Sequence, residues 1–115
     1  MNNFWDNKKV LVTGAHGFVG RNLIPLLKKL PISELITPTR EDCDLTVESE
    51  VQDYFRSKKP DIVLHLAGKV GGIAINKLKP GKFFYDNAMM GILVTHHAYL
   101  NGAEKLVSLA AGCGY

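Results

Sequence analysis

The sequence contains few cysteines and no long apolar run, and both shortages narrow the class of protein. Cys43 and Cys113 are its two cysteines, too few for a disulfide framework, so we expect both to be thiols in a reducing compartment. The N-terminal residues MNNFWDNKK lack the apolar segment of a secretion signal, and no run of about 18 apolar residues is present to cross a membrane. We therefore expect a cytoplasmic protein with no membrane partner.

The net charge of the chain is also small. Fourteen basic and eleven acidic residues give a net charge of +3, spread along the chain, which argues against a nucleic-acid partner. His96 and His97 are adjacent and therefore about 100° apart around a helix, and no zinc-type spacing occurs elsewhere. We predict no metal site, and the small positive charge favours an anionic small molecule as ligand.

What the sequence does have is an alternation of strand and helix patterns over 115 residues, enough for one domain. This alternation is typical of a parallel sheet covered by helices. The predicted strands are 9–13, 35–37, 42–45, 61–67 and 105–110, and the predicted helices are 18–30, 47–57 and 81–100. Right-handed crossovers then give an α/β, Rossmann-type doubly wound sheet of about five strands in the order 3-2-1-4-5, truncated before its second half is complete.

The most specific local pattern is VLVTGAHGFVGRNL over residues 10–23, where an apolar strand runs into three glycines. Gly14 suits a sharp turn, Gly17 lets a pyrophosphate approach the backbone, and Gly20 lets the next helix lie close to the strand. The helix N-terminus adds N–H groups and a partial positive charge. The pattern predicts a dinucleotide site, and the alternative is an ordinary glycine-rich loop.

Two further positions bear on the choice of cofactor. His16 lies inside the glycine turn, where it either flanks the cofactor or faces solvent. Arg40 follows the second predicted strand, where NAD-specific sites carry an acidic residue, and its guanidinium suits a 2′-phosphate. The alternative for Arg40 is a solvated loop residue. NADP is therefore the predicted cofactor, with NAD as the alternative because Glu41 or Asp42 is available to bind a ribose.

Five pieces of the sequence, in chain order, carry a family resemblance. They are VTGAHGFVGRNL, TREDCDLT, KPDIVLHLAGKVGGIAIN, FFYDNAMMGI and KLVSLAAGCGY. Together they resemble the N-terminal part of extended short-chain dehydrogenases/reductases, the NAD-dependent epimerase/dehydratase family. AGKVGGI followed by YDNAMM is most similar to members that epimerise and then reduce a GDP-4-keto-6-deoxy sugar. The resemblance implies NADP(H) as cofactor and a nucleotide sugar as the substrate of a full-length protein.

The resemblance also implies roles for individual residues. Asp44 and Leu45 match a pair that flanks the adenine, and Cys113 matches a cysteine that acts as an acid/base in epimerisation. The alternative for Cys113 is a small buried residue at a strand end. Lys69 is predicted to contact a phosphate, and its alternative is a solvent-exposed or helix-capping residue. The other cofactor-binding residues predicted around the turn and the fourth strand end are Phe18, Val19, Leu66, Ala67, Gly68 and Lys69.

The chain departs from the catalytic pattern of the family it resembles. Catalysis there uses a Ser or Thr together with a Tyr and a Lys in a YxxxK motif, whereas Ala111 stands at the hydroxyl position and the 115 residues end before the YxxxK helix. We expect no turnover from these residues. Three hypotheses stay open: the cofactor-binding part of an epimerase/reductase, a nucleotide-binding module without redox chemistry, and a degenerate remnant that binds nothing.

Two apolar segments have competing interpretations. His65 interrupts the apolar run 61–67 and is predicted to be a packed core histidine rather than a ligand. The helix that contains Met89 and Met90 has a broad apolar surface, which core packing explains. The family resemblance implies a homodimer interface on the same helix as the alternative.

Overall fold

The fold is built around one parallel sheet. The computed structural model describes residues 4–67 and 80–108, in which strands and helices alternate. The elements are β1 (Lys9–Thr13), α1 (Phe18–Leu27), β2 (Glu34–Ile36), α2 (Glu48–Lys58), β3 (Ile62–His65), α3 (Pro80–Leu100) and β4 (Lys105–Ser108). The strand order is β2-β1-β3-β4, and every pair is parallel. The predicted α/β doubly wound class is confirmed.

Both faces of the sheet are covered because side chains alternate between them along each strand. On one face, Leu11 and Val63 pack against helices α2 and α3, which contribute Val51, Phe55, Leu93, Val94 and Ala98 to this core. On the other face, Val10 and Leu64 pack with Leu27 of α1. The carboxyl ends of β1, β2 and β3 therefore lie together at one edge between two helical layers.

The short strand predicted over residues 42–45 is wrong, since these residues form turns and the described sheet has four strands. The Asp42 carboxylate accepts the backbone N–H of Thr39 at 2.9 Å and its hydroxyl at 3.1 Å. The Asp44 carboxylate accepts the N–H and hydroxyl of Thr46 at 3.0 and 2.6 Å. Aspartates that bond to their own neighbourhood compete with strand pairing. The other four strands keep their predicted order.

The first helix also ends earlier than predicted, at Leu27 rather than at residue 30. The backbone N–H groups of Lys29 and Leu30 donate to the carbonyls three residues before them, at 3.2 and 3.0 Å, so the chain tightens into 3₁₀-type turns. Pro31 then follows and cannot continue the helix. Among the helices in the described part of the chain, none has the length and apolar character that spanning a bilayer requires.

Two glycines allow close backbone contacts where β1 ends. Gly14 has a φ of +71°, and a Cβ there would lie 2.7–2.8 Å from the backbone of Leu66 and Ala67. A Cβ at Gly20 would lie 2.4 Å from the carbonyl oxygens of Gly14 and Ala15. No side chain fits at either position unless the backbone moves, so these glycines fix α1 and the exit of β3 against the turn.

We predict that Gly20→Ala destabilises the fold whereas Gly91→Ala, in α3, does not. Because the atoms in the way are backbone atoms, Gly20→Ala should lower the free energy of unfolding by about 1–3 kcal/mol. Nothing lies within 4 Å of the Cβ position at Gly91, so Gly91→Ala should raise it by about 0.5–1 kcal/mol through helix propensity. Urea denaturation measures both changes. A Gly20→Ala protein as stable as the unmodified chain would contradict the close contact.

Candidate dinucleotide-binding site

A cavity of about 340 Å³ lies at the carboxyl edge of the sheet. Three segments form its wall: the glycine turn after β1, the segment after β2, and the exit of β3, with one side chain added from α3. The connection from β1 runs to β2 on one side, and the connection from β3 runs to β4 on the other side. The direction of the crossovers therefore reverses between β1 and β3, at the position of the cavity. Doubly wound sheets bind their ligands at such a switch point.

Many of the residues predicted from sequence meet at this cavity. Those that line it are Gly14, His16, Gly17, Arg40, Asp44, Leu45 and Ala67. Four other predicted residues do not line it. Phe18 and Val19 expose their side chains to solvent, Gly20 packs under the turn, and Leu66 packs on the α1 side of the sheet.

Sequence reasoning missed six lining residues, which are Ala15, Pro38, Thr39, Cys43, Thr46 and Met90. Five of these are next to a predicted residue or one step further along, so extending each motif by two positions would have found them. Met90 had no such signal, because it comes from α3 and is distant in sequence. Gly68, Lys69, Ala111 and Cys113 lie outside the described residues, and their roles stay predictions.

The glycine turn presents backbone to the cavity at Gly17. Its N–H donates to the Gly14 carbonyl at 3.1 Å, and its carbonyl accepts the N–H of Arg21 at 2.9 Å, which starts α1. A Cβ at Gly17 would meet only the Gly14 carbonyl oxygen, at 3.4 Å, an ordinary contact. In α1 no side chain caps the N-terminus and no acidic residue occupies the first turn. The helix end therefore has N–H groups without a side-chain cap, the arrangement that binds anions at helix N-termini.

The segment after β2 forms the other end of the cavity. Arg40 lines it with a side chain that is 77% exposed, and its Nε lies 3.9 Å from the Asp44 carboxylate. The Asp42 carboxylate instead turns towards Thr39, whose backbone N–H holds the pKa of Asp42 below its usual range. This end of the cavity thus presents a guanidinium, while the Asp42 carboxylate is used inside its own turn.

Cys43 adds an uncharged part of the wall. It is a buried free thiol, and burial, together with the nearby carboxylates of Glu50 and Asp44, raises its pKa to about 11. The thiol therefore stays protonated at neutral pH. With Leu45 and Met90 it gives the cavity an apolar lining that suits the flat face of a base.

Comparison with known proteins agrees with this geometry. Residues 10–115 match the NAD dependent epimerase/dehydratase family. The GDP-L-fucose synthase of Azorhizobium caulinodans is 41% identical over 108 residues, which are 94% of this chain and 34% of that protein. The GDP-L-colitose synthase of Yersinia pseudotuberculosis is 38% identical over 107 residues, which are 93% of this chain and 34% of that protein.

A solved structure of similar fold is MlghC, a GDP-mannoheptose C4 reductase from Campylobacter jejuni with NADP bound. It has a TM-score of 0.82 and 32% sequence identity, over 89% of this chain and 32% of that one. The chain thus spans about a third of the length of the relatives it matches. Since the family match runs from the second residue of β1 to residue 115, the chain belongs to the NAD-dependent epimerase/dehydratase family.

Proposed function

We propose that residues 1–115 are the N-terminal, NADP(H)-binding portion of a nucleotide-sugar epimerase/reductase similar to GDP-L-fucose synthase. The observation that carries this proposal is the cavity at the sheet edge, where the glycine turn and the Arg40 segment face one space. The names of two relatives, both GDP-sugar synthases, support a GDP-linked keto sugar as substrate. The NADP in a structure of similar fold supports the cofactor.

Each part of the cavity suits one part of NADP(H). The backbone N–H groups at the start of α1 suit the pyrophosphate. The apolar side chains of Leu45 and Met90 suit the adenine, and the guanidinium of Arg40 suits the 2′-phosphate. When bound, NADPH supplies the hydride that reduces the keto sugar. The residues of this chain hold and orient the cofactor.

The catalytic part of the proposal depends on sequence. Cys113 is proposed to exchange a proton during epimerisation, and Gly68 and Lys69 are proposed to extend the cofactor contacts beyond Ala67. Ala111 stands where the family has a hydroxyl residue. This alanine favours a second candidate function, a nucleotide-binding module without redox chemistry.

We also propose that α3 forms a homodimer interface in a cytoplasmic protein. Met89 and Met90 pack inwards, Met89 against the core of the α2/α3 face. A different side of α3 carries Ile92 and Tyr99, which are 62% and 80% exposed. Exposed apolar groups on one helix are buried when two copies associate, so the dimer would use this side rather than the two methionines.

We predict that the chain binds NADP(H) more tightly than NAD(H) and that Arg40→Ala removes most of this preference. Charge-assisted hydrogen bonds contribute about 1.5–3 kcal/mol, roughly 10- to 150-fold in affinity. Because the Arg40 side chain is largely exposed, we expect the lower end of this range. Isothermal titration calorimetry with both cofactors measures the preference.

The matched control is Arg56→Ala, which removes an exposed arginine from the last turn of α2, outside the cavity. It should keep the full preference for NADP(H). Equal affinity of the unmodified chain for the two cofactors, or an undiminished preference in Arg40→Ala, would show that Arg40 is only a surface residue.

We predict that Gly17→Ala weakens binding of both cofactors to the same extent while the chain stays folded. The protein tolerates a Cβ at this position, but the methyl group occupies the space through which the pyrophosphate approaches. Such a crowded contact costs about 1–3 kcal/mol, roughly 5- to 150-fold in affinity. Calorimetry measures the loss, and urea denaturation confirms folding. A folded Gly17→Ala protein with unchanged affinity would place the pyrophosphate elsewhere.

A further inference from the structure

Two polar side chains are buried opposite each other at the carboxyl ends of β1 and β3. Thr13 is fully buried and His65 is 4% exposed, and the two residues are paired in the sheet register. Thr13 Oγ1 lies 2.7 Å from His65 Nδ1. Since a buried polar group is costly unless it is hydrogen-bonded, each side chain requires the other.

The same threonine holds the segment that leaves β3. Its hydroxyl oxygen accepts the backbone N–H of Ala67 at 3.1 Å, and its carbonyl accepts the N–H of Leu66 at 3.1 Å. Ala67 lines the cavity and lies against Gly14, where a Cβ would be 2.7 Å from the Ala67 nitrogen. The position of Ala67 therefore sets the wall of the cavity next to the glycine turn.

The hydrogen-bonding capacity of the Thr13 hydroxyl favours a neutral imidazole with an unprotonated Nδ1. A hydroxyl has one proton to donate, and the Ala67 N–H already uses one of the lone pairs of Thr13 Oγ1. A neutral His65 with an unprotonated Nδ1 accepts a hydrogen bond from this hydroxyl, so that both the donor and an acceptor lone pair of Thr13 Oγ1 are used. A protonated His65 donates from Nδ1 instead, so the hydroxyl proton loses this acceptor. Burial also lowers the pKa of His65 below 6.5 and so favours the neutral ring.

The two residues beside His65 in the sheet are not acids or bases near neutral pH. Thr13 and Ser108, its register partners on β1 and β4, do not titrate near neutral pH. Thr13 and His65 share the sheet face covered by α3 with Leu11 and Val63. Each polar residue is two positions after one of these apolar residues on the same strand, so both point to the same face.

Four titratable groups of α3 and α2 are paired with one another among the described residues. The buried Asp86 accepts a hydrogen bond from the Lys82 ammonium at 3.2 Å, near the start of α3. His97, near the other end of α3, lies 3.4 Å from the Glu48 carboxylate of α2. None of these four groups takes part in the hydrogen bonds that join Thr13, His65 and Ala67.

We propose that His65 is a positioning residue for the cofactor cavity. Its neutral ring accepts a hydrogen bond from the Thr13 hydroxyl, which orients the hydroxyl oxygen to accept the Ala67 N–H and so holds the exit of β3 against Gly14. Protonation of the ring loosens this wall and weakens dinucleotide binding. The inference rests on the proposed NADP(H) site and adds to it a residue that does not touch the ligand.

The expected pH dependence follows from the lowered pKa of His65. NADP⁺ binds the neutral form better, so affinity is constant well above pH 6.5 and falls as the pH drops below it. The unfolded chain also takes up this proton more readily than the folded chain. The free energy of unfolding therefore decreases over the same fall in pH, and the contribution of His65 is complete only above about pH 6.5.

The decisive variant is His65→Asn, which keeps an acceptor near the position of Nδ1 but cannot be protonated. Calorimetric titration with NADP⁺ from pH 8 down through the midpoint of the His65 ring titration compares it with the unmodified chain, so that titration of the 2′-phosphate is common to both. We expect similar affinities at pH 8 and a gap of roughly 3- to 10-fold at the lowest pH, the worth of one hydrogen bond. His96→Asn, an exposed histidine on α3, is the control and should follow the unmodified chain.

A second measurement needs no variant. In the ligand-free chain, the Ala67 amide resonance should shift with the same midpoint as the His65 ring resonances in an NMR pH titration. An Ala67 amide that ignores the His65 titration, or identical pH profiles for His65→Asn and the unmodified chain, would overturn the positioning role while leaving the NADP(H) site intact. Absence of NADP⁺ binding by the unmodified chain at pH 8 would overturn the proposed function and this role together.

Discussion

The structure depends on how closely the backbone segments that leave β1 and β3 approach each other. Gly14 and Ala67 lie so near that a single methyl group does not fit between them, and Gly20 brings α1 equally close to the turn. Gly17, the N-cap of α1, lines the cavity and has no side chain, so the N-terminus of the helix lacks a side-chain cap there. These close backbone contacts therefore also form the end of the cavity where we propose that the pyrophosphate binds.

At the opposite end of the cavity, hydrogen bonds within the segment after β2 determine where its carboxylates point. Asp42 turns its carboxylate to Thr39 and Asp44 turns its carboxylate to Thr46, while burial keeps the Cys43 thiol neutral. The guanidinium of Arg40 lies at the cavity, largely exposed, with its Nε 3.9 Å from the Asp44 carboxylate. The segment contains three carboxylates, and its guanidinium is the group that we propose binds the 2′-phosphate.

The features that follow from glycine spacing, apolar patterning and right-handed crossovers were predictable, and those that depend on side-chain hydrogen bonds or on packing between distant residues were not. The glycine pattern predicted the bounds of β1 and the turn that lines the cavity. The strand over residues 42–45 was wrong because aspartate side chains bonded to their own turn, a competition that apolar patterning does not reveal. Met90 and the pairing of Thr13 with His65 were missed because each depends on the register or packing of segments distant in sequence; Thr13 and His65 are 52 residues apart.

Whether the cavity binds a dinucleotide is tested most directly by an NMR titration of the ¹⁵N-labelled chain with NADP⁺. The account predicts that the largest changes in amide resonances occur in the glycine turn around Gly17, in the segment from Arg40 to Leu45, and at Ala67. The remainder of the described chain, including the exposed side of α3 around Ile92 and Tyr99, should change little. Changes confined to α3, or no changes at saturating NADP⁺, would contradict the assignment of this cavity as the cofactor site.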